Sequence, residues 1–223
     1  MANLETNINQ AIKDFDNIKS AIQSRGKITI NNTPTKIYGD LIRSIPVEDI
    51  YEVFNRFMLN DNIGTLIFPE GVTAIPNGFC LRKKSITGVV FPSTLETIGA
   101  SSFHSCQIET LEIPKGVTTI DAYAFGFGIL KSLTLPNTLT KVDVNAFAQN
   151  TTLTNVTLEK DFNCSINLQF STSYSIQTLL GILSALADRT NDEPATLTLG
   201  SVNLSRLADI QKAVALNKNW ILA

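Results

Sequence analysis

The sequence has few of the residues that most active sites are built from. It contains one histidine, His104, and three cysteines, Cys80, Cys106 and Cys164. A Ser-His-Asp or Cys-His arrangement would need His104, yet no orienting aspartate stands near it in the sequence. An odd number of cysteines with no C-x-x-C pair argues against a metal ribbon, a redox pair and a disulfide framework. We therefore expect buried free thiols and a histidine at the surface or at a coil edge.

Motifs for phosphate binding, dinucleotide binding and hydrolysis are also missing. The chain has no G-x-x-x-x-G-K-[ST], no G-x-G-x-x-G after a strand, no G-x-S-x-G and no H-E-x-x-H. Asp121 and Asp143 could stack as a carboxylate pair, but each precedes a short helical turn, so we favour an N-cap for both. We expect a protein that is not an enzyme, with no catalytic residue, no cofactor and no metal site.

Charge and hydropathy argue against two further classes of protein, those that bind nucleic acid and those that span a membrane. The net charge of −2 provides no basic surface for nucleic acid, and we interpret the basic cluster Arg82-Lys83-Lys84 as a solvated turn. No run of about 20 apolar residues predicts a transmembrane helix. Residues 1–13 are polar and lack the apolar core of a secretory signal. We expect neither nucleic-acid binding nor membrane insertion.

What the sequence does contain is an internal repeat. Five strand motifs of the form L-x-x-L-x-L begin at Ile63, Ile86, Ile108, Leu130 and Leu153. The first four end in proline, and the fifth has Glu159 at that place. Each of the first four is followed by a second apolar pair and then by a phenylalanine after a small residue: Phe79, Phe103, Phe125 and Phe147. This regular spacing predicts a solenoid whose coils each hold a strand, a proline turn, a short extended segment and one helical turn.

These residues resemble the BspA-like leucine-rich repeats, whose pattern is roughly L-x-x-L-x-I-P-x-x-V-x-x-I-G-x-x-A-F-x-x-C. The repeat from Ile108 to Phe125 matches best, and the repeat before it carries the glycine and the cysteine of the pattern, Gly99 and Cys106. The first repeat departs from this pattern, because Ile75 and Phe79 are closer in the chain than the equivalent residues of the later repeats. The resemblance implies a non-enzymatic binding or surface protein, with Cys106 in a buried column.

The residues before the repeats predict amphipathic helices over 4–24, 35–43 and 49–59, the last as a cap on the first coil. Residues 7–42 are similar to the N-terminal segment of tail-associated proteins from bacteriophages and prophages of Gram-positive gut bacteria. That resemblance implies an attachment segment and self-association through residues 1–60. The alternative is that these helices only pack on their neighbours.

After the fifth strand motif the repeat decays. The spacing predicts a helix from Ser175, a polar loop over 188–194, a strand over 196–200, a helix over 205–217 and a strand over 220–222. We expect these strands to continue the repeat sheet as one or two degenerate coils and to close its edge. The predicted fold class is an α/β repeat solenoid of the leucine-rich-repeat type, with an N-terminal helical segment (1–60), repeats (61–170) and a C-terminal α/β cap (171–223).

The candidate site is the solvent-facing side of the repeat strands, which we call the strand face. Alternation along a strand places one set of side chains outward: Thr65, Ile67, Gly88, Val90, Thr110, Glu112, Ser132, Thr134, Asn155 and Thr157. We expect one extended, largely neutral and hydroxyl-rich surface, which suits a protein or a surface glycan as partner. The alternative is that threonine and valine occur here because β-strands favour them.

The sequence therefore predicts a non-enzymatic, protein- or glycan-binding repeat module within a phage or prophage tail-associated protein. The alternative is a bacterial cell-surface adhesin or surface protein of the BspA-like class. We expect the protein in a phage particle or in the cytoplasm, with the cell surface as the alternative location.

Overall fold

The computed structural model describes residues 64–68 and 70–223. The three helices predicted over 4–24, 35–43 and 49–59 lie outside the described residues. Residue contacts divide the chain between Leu59 and Asn60, and Asn60–Ala223 forms one unit. This unit contains the repeats together with the C-terminal segment.

Two rows of short parallel strands run along the repeats. The first row is formed by the L-x-x-L-x-L motifs: β1 (Gly64–Ile67), β3 (Ile86–Val90), β5 (Thr110–Glu112), β7 (Ser132–Leu135) and β9 (Asn155–Leu158). The second row is formed by the following apolar pairs: β2 (Ala74–Ile75), β4 (Thr97–Ile98), β6 (Thr119–Ile120) and β8 (Lys141–Val142). Strands β2, β4, β6 and β8 form one parallel sheet in which equivalent positions pair, such as Ile75 with Ile98. The predicted repeat solenoid is therefore confirmed.

The interior of the coils holds the residues that the repeat pattern places there. Leu111, Leu133 and Val156, at the second apolar position of their motifs, are all buried. The rings of Phe103 and Phe125 stack with centroids 5.3 Å apart, and Phe125 stacks in turn on Phe147 at 5.7 Å. The residue before each of these three phenylalanines is small and buried, which lets the rings approach the core at crystal-like density.

Gly99 marks a close approach between the first two coils. A Cβ atom at this position would lie 2.6 Å from the carbonyl oxygen of Ile75 and 2.8 Å from the backbone nitrogen of Asn77. The side chain of Asn77 uses the same space, since its Oδ1 accepts a hydrogen bond of 2.7 Å from the Ala100 amide. Any larger residue at position 99 would push the two backbones apart.

The first row of strands is not one continuous sheet, although we expected its outward side chains to form one extended surface. It divides into a two-stranded sheet, β1–β3, and a three-stranded sheet, β5–β7–β9. The coils still touch at the break, because the Gln107 amide donates a 2.9 Å hydrogen bond to the Ile86 carbonyl. The break coincides with Gly88 in the middle of β3, and a glycine weakens a strand interior through its conformational entropy and its lack of a side chain.

The C-terminal segment contains the elements that the spacing predicts, with one difference. In chain order it contains β10 (Ile166–Asn167), α1 (Ile176–Ala185), β11 (Ala195–Thr198), α2 (Gly200–Ser205), α3 (Asp209–Leu216) and β12 (Trp220–Leu222). Ser175 caps α1, because its hydroxyl accepts a 3.0 Å hydrogen bond from the Thr178 amide. The helix predicted over 205–217 corresponds to α3, which begins at Asp209, and the difference is α2, a short helix that the spacing does not predict.

The expectation that these strands continue the repeat sheet is wrong. Strands β10, β11 and β12 form a separate parallel sheet with β11 in the middle. The repeat period places a sixth strand near residue 176, and α1 stands there instead, packed against β9. The reason is the spacing of Leu179, Ile182 and Leu183, which are buried on one helical side and do not alternate as strand residues would. A helix therefore covers the edge of β9.

Within residues 64–68 and 70–223, none of the helices has the length and the apolar character that a membrane span requires.

Candidate binding surfaces

The strand face has the orientation that alternation predicts. Seven of its residues are exposed and three are half-buried; the half-buried ones are Gly88, Ser132 and Thr134, and the exposed ones are Thr65, Ile67, Val90, Thr110, Glu112, Asn155 and Thr157. The break between β3 and β5 separates these residues into two sets, so the expected continuous surface is in fact two adjoining patches.

The first patch is apolar. Ile67 and Val90 are paired in register on neighbouring strands, and their side chains are 43% and 50% exposed. Thr65 pairs with Gly88 beside them, and a Cβ atom at Gly88 would lie only 2.8 Å from the Thr65 hydroxyl oxygen. The patch thus presents two branched aliphatic side chains next to a hydroxyl, and neither aliphatic side chain is part of the buried core.

The second patch is polar. Thr110, Ser132 and Asn155 pair across β5, β7 and β9. Glu112, Thr134 and Thr157 form a second such line further along each strand. Because side chains in matched register on a sheet lie about 5 Å apart, these six form a compact field of hydroxyl and amide groups with one carboxylate.

The polar patch ends in a cleft between β9 and α1. The cleft has a volume of about 290 Å³ and is lined by uncharged residues that include Asn155, Thr157, Gln177, Thr178 and Gly181. Sequence reasoning identified the strand half of this cleft and missed the helix half. The available signal was Gly181, because glycine is unfavourable inside a helix. Nothing lies within 4 Å of a Cβ atom built there, so packing does not require the glycine.

His104 does not form part of a catalytic arrangement with the neighbouring cysteine. Its Nδ1 atom lies 2.8 Å from the Ser105 hydroxyl oxygen, and its ring stacks on Phe127 with centroids 4.9 Å apart. The Cys106 thiol is buried and donates a 3.2 Å hydrogen bond to the Cys80 carbonyl. Among the residues that the structure describes, no three His, Cys, Asp or Glu side chains are grouped to hold a metal ion.

Asp121 and Asp143 have different partners. Asp143 caps its turn as predicted, because its Oδ1 accepts a 2.9 Å hydrogen bond from the Asn145 amide. The N-cap predicted for Asp121 is wrong: its carboxylate instead pairs with the Lys141 ammonium at 2.7 Å. That hydrogen bond raises the pKa of Lys141 above its ordinary value. The two aspartates therefore serve local structure and do not form the stacked carboxylate pair of a cation site.

The three cysteines are free and buried, as expected. Burial raises the pKa of the Cys106 thiol to about 12 and also raises the pKa values of Cys80 and Cys164. Because the thiolate is the reactive form, thiols with raised pKa values react slowly near neutral pH.

We expect a disulfide reagent such as Ellman's reagent to leave the native protein unlabelled for minutes at pH 8 and to label three thiols at once in urea. A pKa of 12 in place of 9.0 lowers the thiolate fraction of Cys106 about a thousandfold. Stability should also fall as pH rises above 9.0, since the unfolded thiols then lose protons that the folded thiols retain. Complete labelling of the native protein within minutes would contradict this expectation.

The comparison with known families agrees with the geometry. Residues 53–177 match the family described as BspA type leucine rich repeat region, with six copies of the repeat. This range extends past the five strand motifs to the first residues of α1. No curated protein shows significant similarity to the chain. The repeat period, the stacked coils and a family match over more than half of its length show that the chain belongs to the BspA type leucine-rich-repeat family.

Proposed function

We propose that this protein is a non-enzymatic binding module that recognises a protein or a surface glycan through the strand face. The observation that carries the proposal is the pairing of Ile67 and Val90, two aliphatic side chains that are about half exposed and lie side by side outside the core. Neighbouring apolar side chains on the open sheet of a solenoid are typical of a partner surface, since water covers them at a cost in free energy.

The polar patch supports the same role. Five of the eight residues that line its neighbouring cleft carry hydroxyl or amide side chains, and none of the eight is charged. Such groups donate and accept hydrogen bonds with sugar hydroxyls or with a peptide backbone. The net charge of −2 makes nucleic acid an unfavourable partner for this surface.

The non-enzymatic part of the proposal draws support from His104. The only histidine of the chain has its Nδ1 against Ser105 and its ring against Phe127, so it is engaged with neighbours that supply neither a nucleophilic thiol nor an orienting carboxylate.

As biological context, we propose a component associated with the tail of a phage or prophage, in which residues 1–60 attach the module to the particle. The support is the similarity of residues 7–42 to such proteins. Light scattering should then show an oligomer for the full chain and a monomer for a chain that begins at Asp61. If both chains are monomers, this result would count against the phage or prophage context.

A bacterial surface adhesin is the second candidate. Detection of the protein in the envelope fraction of uninfected cells would favour it.

We expect the triple variant Ile67→Lys/Val90→Lys/Thr157→Lys to bind candidate host cells at least about tenfold more weakly than the wild type, because each lysine places a charge on the partner surface. Binding of fluorescently labelled protein to intact cells, measured by flow cytometry, tests this. All three positions are exposed, so the free energy of unfolding should change by less than about 1 kcal/mol.

The matched control is Val202→Lys/Ile210→Lys/Leu216→Lys, which adds the same three charges at exposed apolar positions on α2 and α3. This variant should bind like the wild type. Equal cell binding by the strand-face variant and the control variant would refute the strand face as the recognition surface.

A further inference from the structure

The helical turns of the coils present a second row of side chains. Arg82, Ser105, Phe127 and Gln149 occupy equivalent positions of successive repeats, and their backbones are all left-handed, with φ values of 60°, 62°, 57° and 62°. The amide of each of the first three donates to a carbonyl of the next coil at 2.7–2.8 Å. Equal backbone conformations in register project side chains in one direction, about 5 Å apart. We call these four residues the left-handed row.

An exposed aromatic cluster surrounds Phe127 in this row. The Phe127 and Tyr123 side chains are 51% and 38% exposed, with ring centroids 6.3 Å apart. The His104 ring lies 4.9 Å from Phe127 and 6.3 Å from Tyr123. Three rings from two neighbouring coils therefore form one aromatic surface at the solvent boundary.

The fold does not require aromatic residues at these positions. Tyr123 and Phe127 have φ values of 56° and 57°, a region that large L side chains occupy at a cost of order 1 kcal/mol or more. The coil before them has Ser101 and Ser105 at the equivalent positions, in the same conformation. Small or polar residues thus suffice for the turn, and Tyr123 and Phe127 leave 38% and 51% of their surface exposed to solvent. Their presence points to a ligand.

The charge pattern along the row indicates which ligand. Arg82 stands at one end, and Lys84 is exposed close behind it in the chain. Within the described part of the chain, the ion pairs involve neither Arg82 nor Lys84. Ser105 and Gln149 add a hydroxyl and an amide on either side of the ring. The row therefore presents a cation, a hydroxyl, an aromatic face and an amide in that order.

We propose that the left-handed row, together with Tyr123 and His104, binds an acidic glycan. The apolar face of a sugar ring packs on Phe127 and Tyr123, and its hydroxyls bond to Ser105 and Gln149. A carboxylate, sulfate or phosphate on the glycan pairs with the Arg82 guanidinium, whose planar donors match such anions. This surface uses a different segment of each coil from the strand face and does not depend on that proposal.

A single-stranded nucleic acid would also stack on aromatic rings. It needs a groove of cations that follows successive phosphates, whereas the row has one arginine. An acidic sugar, with one anionic group per ring or pair of rings, fits the observed order of groups better.

The test uses variants that the repeat itself supplies. Phe127→Gln introduces the residue of the equivalent position in the next coil, Gln149. Arg82→Ser introduces the residue of its equivalent, Ser105, and Tyr123→Ser introduces the residue of its equivalent, Ser101. Because those residues already adopt the left-handed conformation there, the variants should fold, which thermal unfolding verifies. The probe is an array of uronate, sulfated and phosphorylated oligosaccharides beside their neutral counterparts and a single-stranded oligonucleotide.

We expect the wild-type full chain to bind at least one acidic oligosaccharide and to bind its neutral counterpart more weakly, by about tenfold or more. Phe127→Gln and Arg82→Ser should each weaken binding of the acidic oligosaccharide by about tenfold or more. Added salt should weaken binding of the same oligosaccharide by the wild-type protein. Lys160→Ser, which removes an exposed cation outside the row, should bind like the wild type.

Three outcomes would overturn the proposal: no binding to any acidic oligosaccharide, unchanged binding by the folded Phe127→Gln variant, or tighter binding of the oligonucleotide than of every glycan. The strand-face triple variant separates the two proposals. If the strand face recognises the cells, this variant should lose binding to cells and keep its binding to the oligosaccharide array.

Discussion

Replacing Phe125 by alanine is expected to lower the free energy of unfolding by about 3–5 kcal/mol. The Phe125 side chain is only 2% exposed. Its ring lies between those of Phe103 and Phe147, with interplanar angles of 4° and 8°. Truncation removes the buried ring, leaves a cavity and ends two stacked contacts that are each worth about 0.5–1.5 kcal/mol.

Removal of the Phe125 ring should also change the cooperativity of unfolding. Each coil of a solenoid contacts only its neighbours, so the stacked Phe125 ring contributes to the coupling of the coils before it with those after it. We expect urea unfolding, followed by circular dichroism, to show a lower midpoint and a smaller dependence on urea concentration. Phe127→Ala is the matched control, because Phe127 is 51% exposed and lies close by in the chain. Similar losses in both variants would show that the ring stack does not hold the coils together.

The second large effect is expected for Asn150→Leu, which should lower the free energy of unfolding by about 3–5 kcal/mol although it adds apolar volume to the core. Asn150 is 1% exposed. Its Nδ2 donates to the carbonyls of Phe125 and Phe147 at 2.7 and 3.0 Å, and its Oδ1 accepts from the Leu130 amide at 3.2 Å. Leucine would leave three buried backbone groups without these bonds, each at a cost of about 1–3 kcal/mol.

Two measurements test whether the lost hydrogen bonds, and not another effect of the substitution, lower the free energy of unfolding. The Leu130 amide should exchange with solvent faster in Asn150→Leu than in the wild type, because its hydrogen-bond acceptor is gone. Asn155→Leu makes the same substitution at an exposed strand position and should change stability by less than about 1 kcal/mol. Unchanged protection of the Leu130 amide would mean that the hydrogen bond it donates to Asn150 is unimportant.

Asn150 also explains a departure from the repeat pattern. It follows Phe147 at the same spacing at which Cys106 follows Phe103. Both side chains donate to a carbonyl of the preceding coil, Asn150 to Phe125 and Cys106 to Cys80. Gly128 has this position in the coil between them, and a Cβ atom there would lie 2.9 Å from the Asn150 Oδ1. The glycine therefore leaves room for an amide that bridges two coils.

The sequence alone determined the solenoid. The regular repeat period, the inward leucines and valines and the small residue before each buried phenylalanine are local patterns that recur, and a repeated local pattern has one efficient way to bury its apolar side. The same reasoning correctly predicted the outward orientation of Thr65, Ile67 and Val90, because side chains alternate along any strand.

Only the tertiary structure decided how neighbouring coils fit together. The break between β3 and β5, the packing of α1 against β9 and the separate sheet of β10, β11 and β12 all depend on contacts between segments far apart in the chain. The ring cluster of His104, Tyr123 and Phe127 has the same origin. These residues are inconspicuous in the sequence, and they meet because stacking brings equivalent turns within about 5 Å of each other. The repeat spacing indicates which positions stack, but it does not show which side chains of neighbouring turns touch, because that depends on the folded backbone and on side-chain packing.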